Sequence, residues 1–419
     1  MSMTSATSPA TGATRAEASR SASTVARVLV VCADSGAREA SEWYLRLASR
    51  WNDRVRELAG ELDGPAGPCS RLLEAPGDLG VFRGAVAFLT ARLDAGDPAA
   101  RRLVEAAWQA DCNSRVALHL GKRYTADGGP EVTIEEIRTL PVQASVLEAG
   151  RAAAPEGRSA ARIVIPFRDR SEGGSERLRN LLACLKALGD QSLDRGAYRI
   201  VVIETDSEPR WREVIEPLCD DYLFACKPGP FNKSWAVNAA TVHTRGGGDL
   251  VCVLDGDVLV DRDFVRRNVD RFGPGVGALF PFQDMLYLDR PSTYRSIRSR
   301  CAQGEQSLSW DELRGFYLRG LRGCCVWVRQ ESFDTVNGMD ERYEGWGGED
   351  NDFAYRLDAR VSVCFHGDRM AHMYHPTSAV LLADGQTSNS EIPAMSWPRE
   401  GEIGVLDKFG PQPAPPALR

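Results

Sequence analysis

Three short, largely apolar runs constrain this chain most, because each stops abruptly at charged residues. Ile163-Val164-Ile165-Pro166 leads into Arg168 and Arg170, Tyr198 to Ile203 into Glu204, and Leu250 to Leu254 into Asp255 and Asp257. Runs this short and this rich in β-branched residues predict strands buried on both faces. Between the first two, Leu178 to Leu188 reads as an amphipathic helix. Strands alternating with helices predict an α/β fold, a mainly parallel, Rossmann-like sheet with helices on both faces. Ligands of such sheets gather at the carboxyl ends of the strands, which is where the polar motifs lie.

The regions around this core read differently. Residues 1–25 are rich in Ala, Ser and Thr and are expected to form a disordered arm. Residues 26–150 are expected to form an accessory region, mixed α/β or mainly helical. Within it Val25 to Cys32 reads as a strand, while Trp43, Leu47, Trp51, Val55 and Leu58 fall at helical spacing. Phe82 to Leu93 and Leu103 to Trp108 read as further helices. An Ala-, Gly- and Pro-rich link near Arg151 to Ser159 precedes the α/β domain, placed at 160–385. The Pro-rich tail, 386–419, is expected to extend over the surface.

Composition narrows the partners. The 419 residues, 43% hydrophobic, suffice for one large core or two ordinary ones. A net charge of -7, with arginine spread along the chain, excludes a nucleic-acid footprint. No segment approaches ~20 uninterrupted apolar residues, so no membrane span is expected. The amino-terminal residues also lack the apolar stretch of a signal peptide, which predicts a cytoplasmic protein. Eleven cysteines include no CxxC pair, and Cys252 lies inside an apolar run. They read as small buried hydrophobes in a reducing compartment.

The motifs carry the chemistry. Asp255 and Asp257, on alternate residues after a buried strand, can face one hard cation, with Gly256 letting the backbone come close. A plain Asp-Gly turn is the bland alternative. Gly345-Trp346-Gly347-Gly348-Glu349-Asp350 combines a loop able to adopt positive φ, a flat apolar ring suited to a sugar face, and two carboxylates at the expected start of a helix over Phe353 to Leu357. Among only five histidines, His372 and His375 stand at i, i+3, where two imidazoles can share a metal. His119 and His243 have no such context. Arg168 and Arg170 suit bidentate contact with phosphate. Lys233, in Phe231-Asn232-Lys233-Ser234, adds a positive charge near a diphosphate, and Phe231 can pack on a base.

Taken in order, these segments resemble glycosyltransferases of the GT-A fold, in particular the β-1,4-galactosyltransferases and bacterial chondroitin polymerases. The resemblance covers roughly 162–379, with Val336-Asn337-Gly338 also in the family's order. It implies a UDP-sugar donor bound by Pro166, Phe167, Arg168, Arg170, Glu204, Phe231, Lys233, Asp255 and Asp257. It implies Mn2+ or Mg2+ held by Asp257 and His375, with His372 where the galactosyltransferases place a methionine, and Asp255 alongside. Asp350 takes the place of the catalytic base, and Glu349 and Trp346 shape the acceptor site with it. The family inverts the anomeric centre. This chain departs from the pattern at Leu321 and Cys324-Cys325, and it lacks the processive QxxRW signature. A small sugar or aminocyclitol acceptor, received as in antibiotic biosynthesis, is therefore expected. The alternatives are a glycan or polysaccharide acceptor, a nucleotidyltransferase, and a catalytically silent nucleotide-sugar-binding protein.

Overall fold

The computed structural model describes residues 14–140, 160–377 and 389–412. The first part of the expected arm, the expected link at 151–159 and the two ends of the tail lie outside the described residues. The chain divides into two compact units, Met1–Leu118 and His119–Arg419. That division falls earlier than the expected link.

The first unit is helical: α1 (Arg15–Ala33), α2 (Ser35–Leu47), α3 (Ser49–Asp63), α4 (Pro68–Glu74), α5 (Leu79–Asp94) and α6 (Pro98–Asn113). Two expectations are corrected here. Arg15 to Val25 belongs to α1 rather than to a disordered arm, and Val25 to Cys32 is its second half rather than a strand. Thr14 opens α1 with a capping box to Glu17. Ala22, Val25, Ala26 and Leu29 then fall at helical spacing and are fully buried. Because α1 packs against α3, α4, α5 and α6, a β-branched run can be apolar nearly all round and remain a helix. The strand β1 (Val116–Leu120) carries the chain into the second unit.

The second unit holds the expected sheet. Its strands are β2 (Ala161–Phe167), β3 (Tyr198–Asp206), β4 (Asp221–Cys226), β5 (Leu250–Leu254), β6 (Val258–Leu259), β7 (Ala278–Phe280), β8 (Asp284–Leu288), β9 (Arg314–Arg319), β10 (Cys325–Arg329), β11 (Val363–Phe365) and β12 (Met370–His372). The main sheet runs β11-β7-β10-β5-β2-β3-β4. Its β5-β2-β3-β4 half is parallel, and β10 is the antiparallel insertion between β5 and β7. Alternation along the strands divides the core in two. Ile163, Ile165, Cys252 and Leu254 face the Glu176–Gly189 helix. Val164, Val251 and Val253 face the Lys233–His243 and Glu349–Asp358 helices. The sheet is thus covered on both faces, which is why its strands read as continuous apolar runs. The Glu176–Gly189 helix differs from expectation: Leu178 to Leu188 is buried throughout rather than amphipathic.

A second, smaller sheet contains β9-β8-β12-β6 in that order. Its antiparallel β12–β6 pairing sets His372 opposite Val258, next to Asp257. The carboxyl-terminal segment is the last correction. Ile403, Leu406 and Phe409 pack against the core instead of trailing over the surface. Among the described residues no helix is long and apolar enough to cross a membrane.

Candidate active site

The site forms where β5 ends. The chain turns at Asp255-Gly256-Asp257, with the Asp255 N–H donating to the Cys324 carbonyl at 2.9 Å. A Cβ on Gly256 would come 3.0 Å from the Leu181 side chain and 3.4 Å from Ile165, so the turn lies tight against the core. The two aspartates face different partners.

Asp257 meets the histidines. Its Oδ2 is 2.9 Å from His375 Nε2, and its Oδ1 is 3.2 Å from His372 Nε2. His375 Nδ1 lies 2.8 Å from the Pro376 carbonyl, which can only accept. Nδ1 therefore carries the hydrogen, and Nε2 is either protonated or shares a cation with the carboxylate. Buried Oδ1 of Asp257 has no well-directed hydrogen bond. Ligand atoms of Asp257, His372 and His375 all lie within 4.8 Å of one another. Together with the orphaned oxygen, this mixed carboxylate–imidazole set fits a divalent cation. Burial works against the Asp257 charge, but the two imidazoles outweigh it and hold the carboxyl well below its usual range.

The surroundings hold these rings in place. Tyr287 stacks on His372 with ring centroids 4.1 Å apart, a contact set by the β8–β12 register. Asn180 donates to the Met373 and Tyr374 carbonyls, Arg179 to that of Tyr374, and the Thr293 hydroxyl accepts from the Tyr374 N–H. None of these residues belonged to a recognisable motif. They act by supporting the ligands, which leaves no spacing signature.

Asp255, expected alongside the metal ligands, pairs with Lys233 at 2.7 Å. Lys233 also reaches Asp350 at 3.0 Å. One ammonium thus joins the acidic turn to the glycine-tryptophan-acid loop. Burial opposes the Lys233 charge, but Asp255 and Asp350 outweigh it and raise the group well above its ordinary value. Burial raises Asp350, against the pull of Lys233. Burial and then the neighbouring Asp350 push Glu349 up to about 7. The pair is therefore split, with the carboxylate beside the ammonium better able to stay ionised.

The loop has the expected backbone. Gly345, Gly347 and Gly348 have φ of 75°, 97° and 102°. A Cβ on Gly348 would meet the Tyr343 ring at 2.5 Å, and one on Gly323 would meet Asp350 Oδ2 at 2.4 Å. At Gly348 the positive φ and the ring together favour glycine, while at Gly323 a side chain would displace the Asp350 carboxylate. Trp346 is 37% exposed, among the most exposed large hydrophobic residues described. Cys324, where the chain departs from the family's pattern, holds a left-handed φ of 72°.

The residues expected to bind the nucleotide are heavily engaged with the protein itself. Arg168 donates to the carbonyls of Thr205, Lys227 and Gly229 and lies over the Phe231 ring. Arg170 pairs with Asp206 at 2.9 Å. Glu204 accepts from the Arg210 and Trp211 N–H groups and from the Tyr222 hydroxyl. Pro166 and Phe167 are buried in β2, and Phe167 joins the core. His243 sits beside the Gly404 carbonyl and His119 beside that of Trp310, both outside the site's groups.

The comparisons match this architecture. The model for glycosyl transferase family 2 matches residues 163–334, and that for the N-terminal domain of galactosyltransferase matches residues 314–376. No curated protein sequence matches the chain. Among solved structures, it is similar to the catalytic domain of Drosophila β1,4-galactosyltransferase 7 in complex with xylobiose. That likeness has 20% identity, covers 52% of this chain and 71% of the other, and has a TM-score of 0.31. For glucosyl-3-phosphoglycerate synthase from Mycobacterium tuberculosis the identity is 15%, the coverage 59% and 78%, and the TM-score 0.32. For S. aureus TarS the identity is 10%, the coverage 51% and 60%, and the TM-score 0.36. The assignment rests on the two family models, which together span both the acidic turn and the tryptophan loop: this chain is a glycosyltransferase of the GT-A fold, carrying a glycosyl transferase family 2 domain over residues 163–334.

Proposed function

We propose that the chain transfers a hexose, glucose in preference to galactose, from a UDP-sugar to a hydroxyl of a small acceptor, with inversion. The observation that carries this reading is the two-sided turn: Asp257 faces two imidazoles, and Asp255 faces the lysine that also holds Asp350. Asp257, His372 and His375 would hold the divalent cation. Two nitrogen ligands favour Mn2+ over the oxygen-preferring Mg2+. When bound, the ion supplies charge to offset that on the departing diphosphate.

The remaining steps belong to the side chains. Asp350, kept ionised beside Lys233, accepts the proton of the acceptor hydroxyl as its oxygen bonds to the anomeric carbon and the carbon–phosphate-oxygen bond breaks. Glu349, which holds its proton up to about pH 7, orients the acceptor, and Trp346 supplies the apolar face beneath its ring. The backbone anchors of Arg168 and Glu204 place the β2–β3 edge that receives the nucleotide. All eleven cysteines are free thiols, seven of them buried, which supports a reducing, cytoplasmic setting. The sequence resembles validoxylamine A glucosyltransferase, so validoxylamine A is the aminocyclitol to try first.

The test is UDP release from UDP-glucose and UDP-galactose, with and without Mn2+, against validoxylamine A and simple sugars. Metal-dependent release with a β-glycoside product is expected. Asp257→Ala and Asp350→Asn should each lower it at least about 100-fold. Full activity in both variants, or pyrophosphate as product, would sink the reading. Activity confined to polymeric acceptors would correct the acceptor class.

A further inference from the structure

The carboxyl-terminal segment does more than fill the core. Asn389, 8% exposed, sits against the backbone of the tryptophan loop. Its Nδ2 donates to the Gly347 carbonyl at 2.8 Å and lies 3.4 Å from that of Trp346, while its Oδ1 accepts from the Glu344 N–H at 3.3 Å. Three glycines at positive φ, Gly345, Gly347 and Gly348, give this loop little stiffness of its own. The loop is also tied at its base, where the Gly345 N–H donates to the Phe231 carbonyl at 2.7 Å.

The carboxylates behind the loop are held independently of Asn389. Lys233 fixes Asp350, and the buried Asp352–Arg356 pair fixes the Glu349–Asp358 helix. The segment itself is anchored well beyond Asn389. The Trp397 indole N–H donates to the Asn337 carbonyl, the Trp235 indole N–H to that of Val405, and Lys408 pairs with Glu341 at 2.6 Å. Loss of the Asn389 side chain alone therefore leaves both the base and the segment in place.

We propose that Asn389 is a positioning residue for the acceptor: from outside the loop it fixes the Trp346–Gly347 crest, and so the face that Trp346 offers to the acceptor ring. This rests on the reading of Trp346 as an acceptor platform. One neutral amide satisfies two carbonyls and one N–H, a combination that a carboxylate or an aliphatic side chain cannot reproduce.

The test compares the full-length parent with Asn389→Ala, Asn389→Asp, Trp346→Ala and the Asn389→Ala/Trp346→Ala double variant. UDP-glucose with Mn2+ is the donor, and validoxylamine A and D-glucose are the acceptor probes. Asn389→Ala should raise the acceptor KM roughly three- to tenfold. The UDP-glucose KM and the acceptor-free release of UDP should stay at parental values. Asn389→Asp, which keeps the Glu344 contact and loses both donors, should behave as Asn389→Ala does. In the double variant Asn389→Ala should add nothing to the effect of Trp346→Ala, because both act through one face.

An equal fall in acceptor-free release, strict additivity, or an unchanged acceptor KM in Asn389→Ala would overturn the inference alone. An unchanged acceptor KM in Trp346→Ala would overturn the platform reading, and the inference with it. A parent chain that transfers to neither probe would do the same through the small-acceptor reading.

Discussion

Glu349 shows how one side chain reports on the site without a substrate. Unfolded, its carboxyl titrates in the ordinary glutamate range, and folded it titrates at about 7. Between those values the folded chain holds a proton that the unfolded chain has released. Stability therefore falls as pH rises through this window and levels off above about 7. Glu349→Gln removes the group that loses out, so the variant should gain stability relative to the parent as pH rises from about 5 to about 8. Thermal melts of both proteins across that range check this, and parallel curves would exclude a raised Glu349. The neighbouring Asp350 differs because Lys233 stands beside it, and that lysine also answers Asp255. Removing Lys233 would leave both carboxylates without this counter-charge.

At the scale of elements, the Glu349–Asp358 helix is the part that brings Asp350, the proposed base, to the sheet. Its buried face, Phe353, Ala354 and Leu357, packs on the side of the sheet that also carries the Lys233–His243 helix. Arg356 pins it further, donating to the Val336 and Gly338 carbonyls and pairing with Asp352 at 2.7 Å. Both side chains are almost wholly buried. Arg356→Met would leave Asp352 charged and unpaired, at a cost of about 3–5 kcal/mol. Urea unfolding of the two proteins measures this; an unchanged midpoint would mean that the pair does not hold the helix. The motif Val336-Asn337-Gly338 gains its meaning here. Its carbonyls receive the arginine, and a Cβ on Gly338 would strike Asn238 at 2.4 Å.

At the scale of the second unit, the carboxyl-terminal segment ties together the elements that supply Lys233 and Asp350. Phe409 meets Trp235 edge-on with centroids 4.9 Å apart, and Lys227 lies 4.3 Å over its ring. Gly404 approaches the Asn238 backbone so closely that a Cβ would come within 2.6 Å. Phe409→Leu should cost about 1 kcal/mol, the worth of an aromatic pair beyond its buried area. Urea unfolding of the full chain would show it, and no change would place this segment outside the cooperative unit. That packing was not legible beforehand. Ile403, Leu406 and Phe409 stand among glycines and prolines, and Phe409 finds Trp235 far earlier in the sequence.

Other parts were legible for equally physical reasons. Strands buried on both faces are apolar along most of their length, so β2, β3 and β5 could be read from local runs. Glycines held at positive φ announced the tryptophan loop, since other residues strain there. The Val25 to Cys32 run misled because a helix enclosed by other helices may carry strand-like composition. By itself, then, the sequence determined the sheet, the acidic turn, the loop and their order along the chain, because each depends on neighbouring residues. Only the tertiary structure decided which carboxylate faces which partner. Asp255 and Asp257 are two residues apart, yet one meets a lysine from a helix before the strand, and the other meets His372 at the end of β12 and His375 just beyond it. Charge pairing depends on distance in space, and that distance exists only once the sheets have formed.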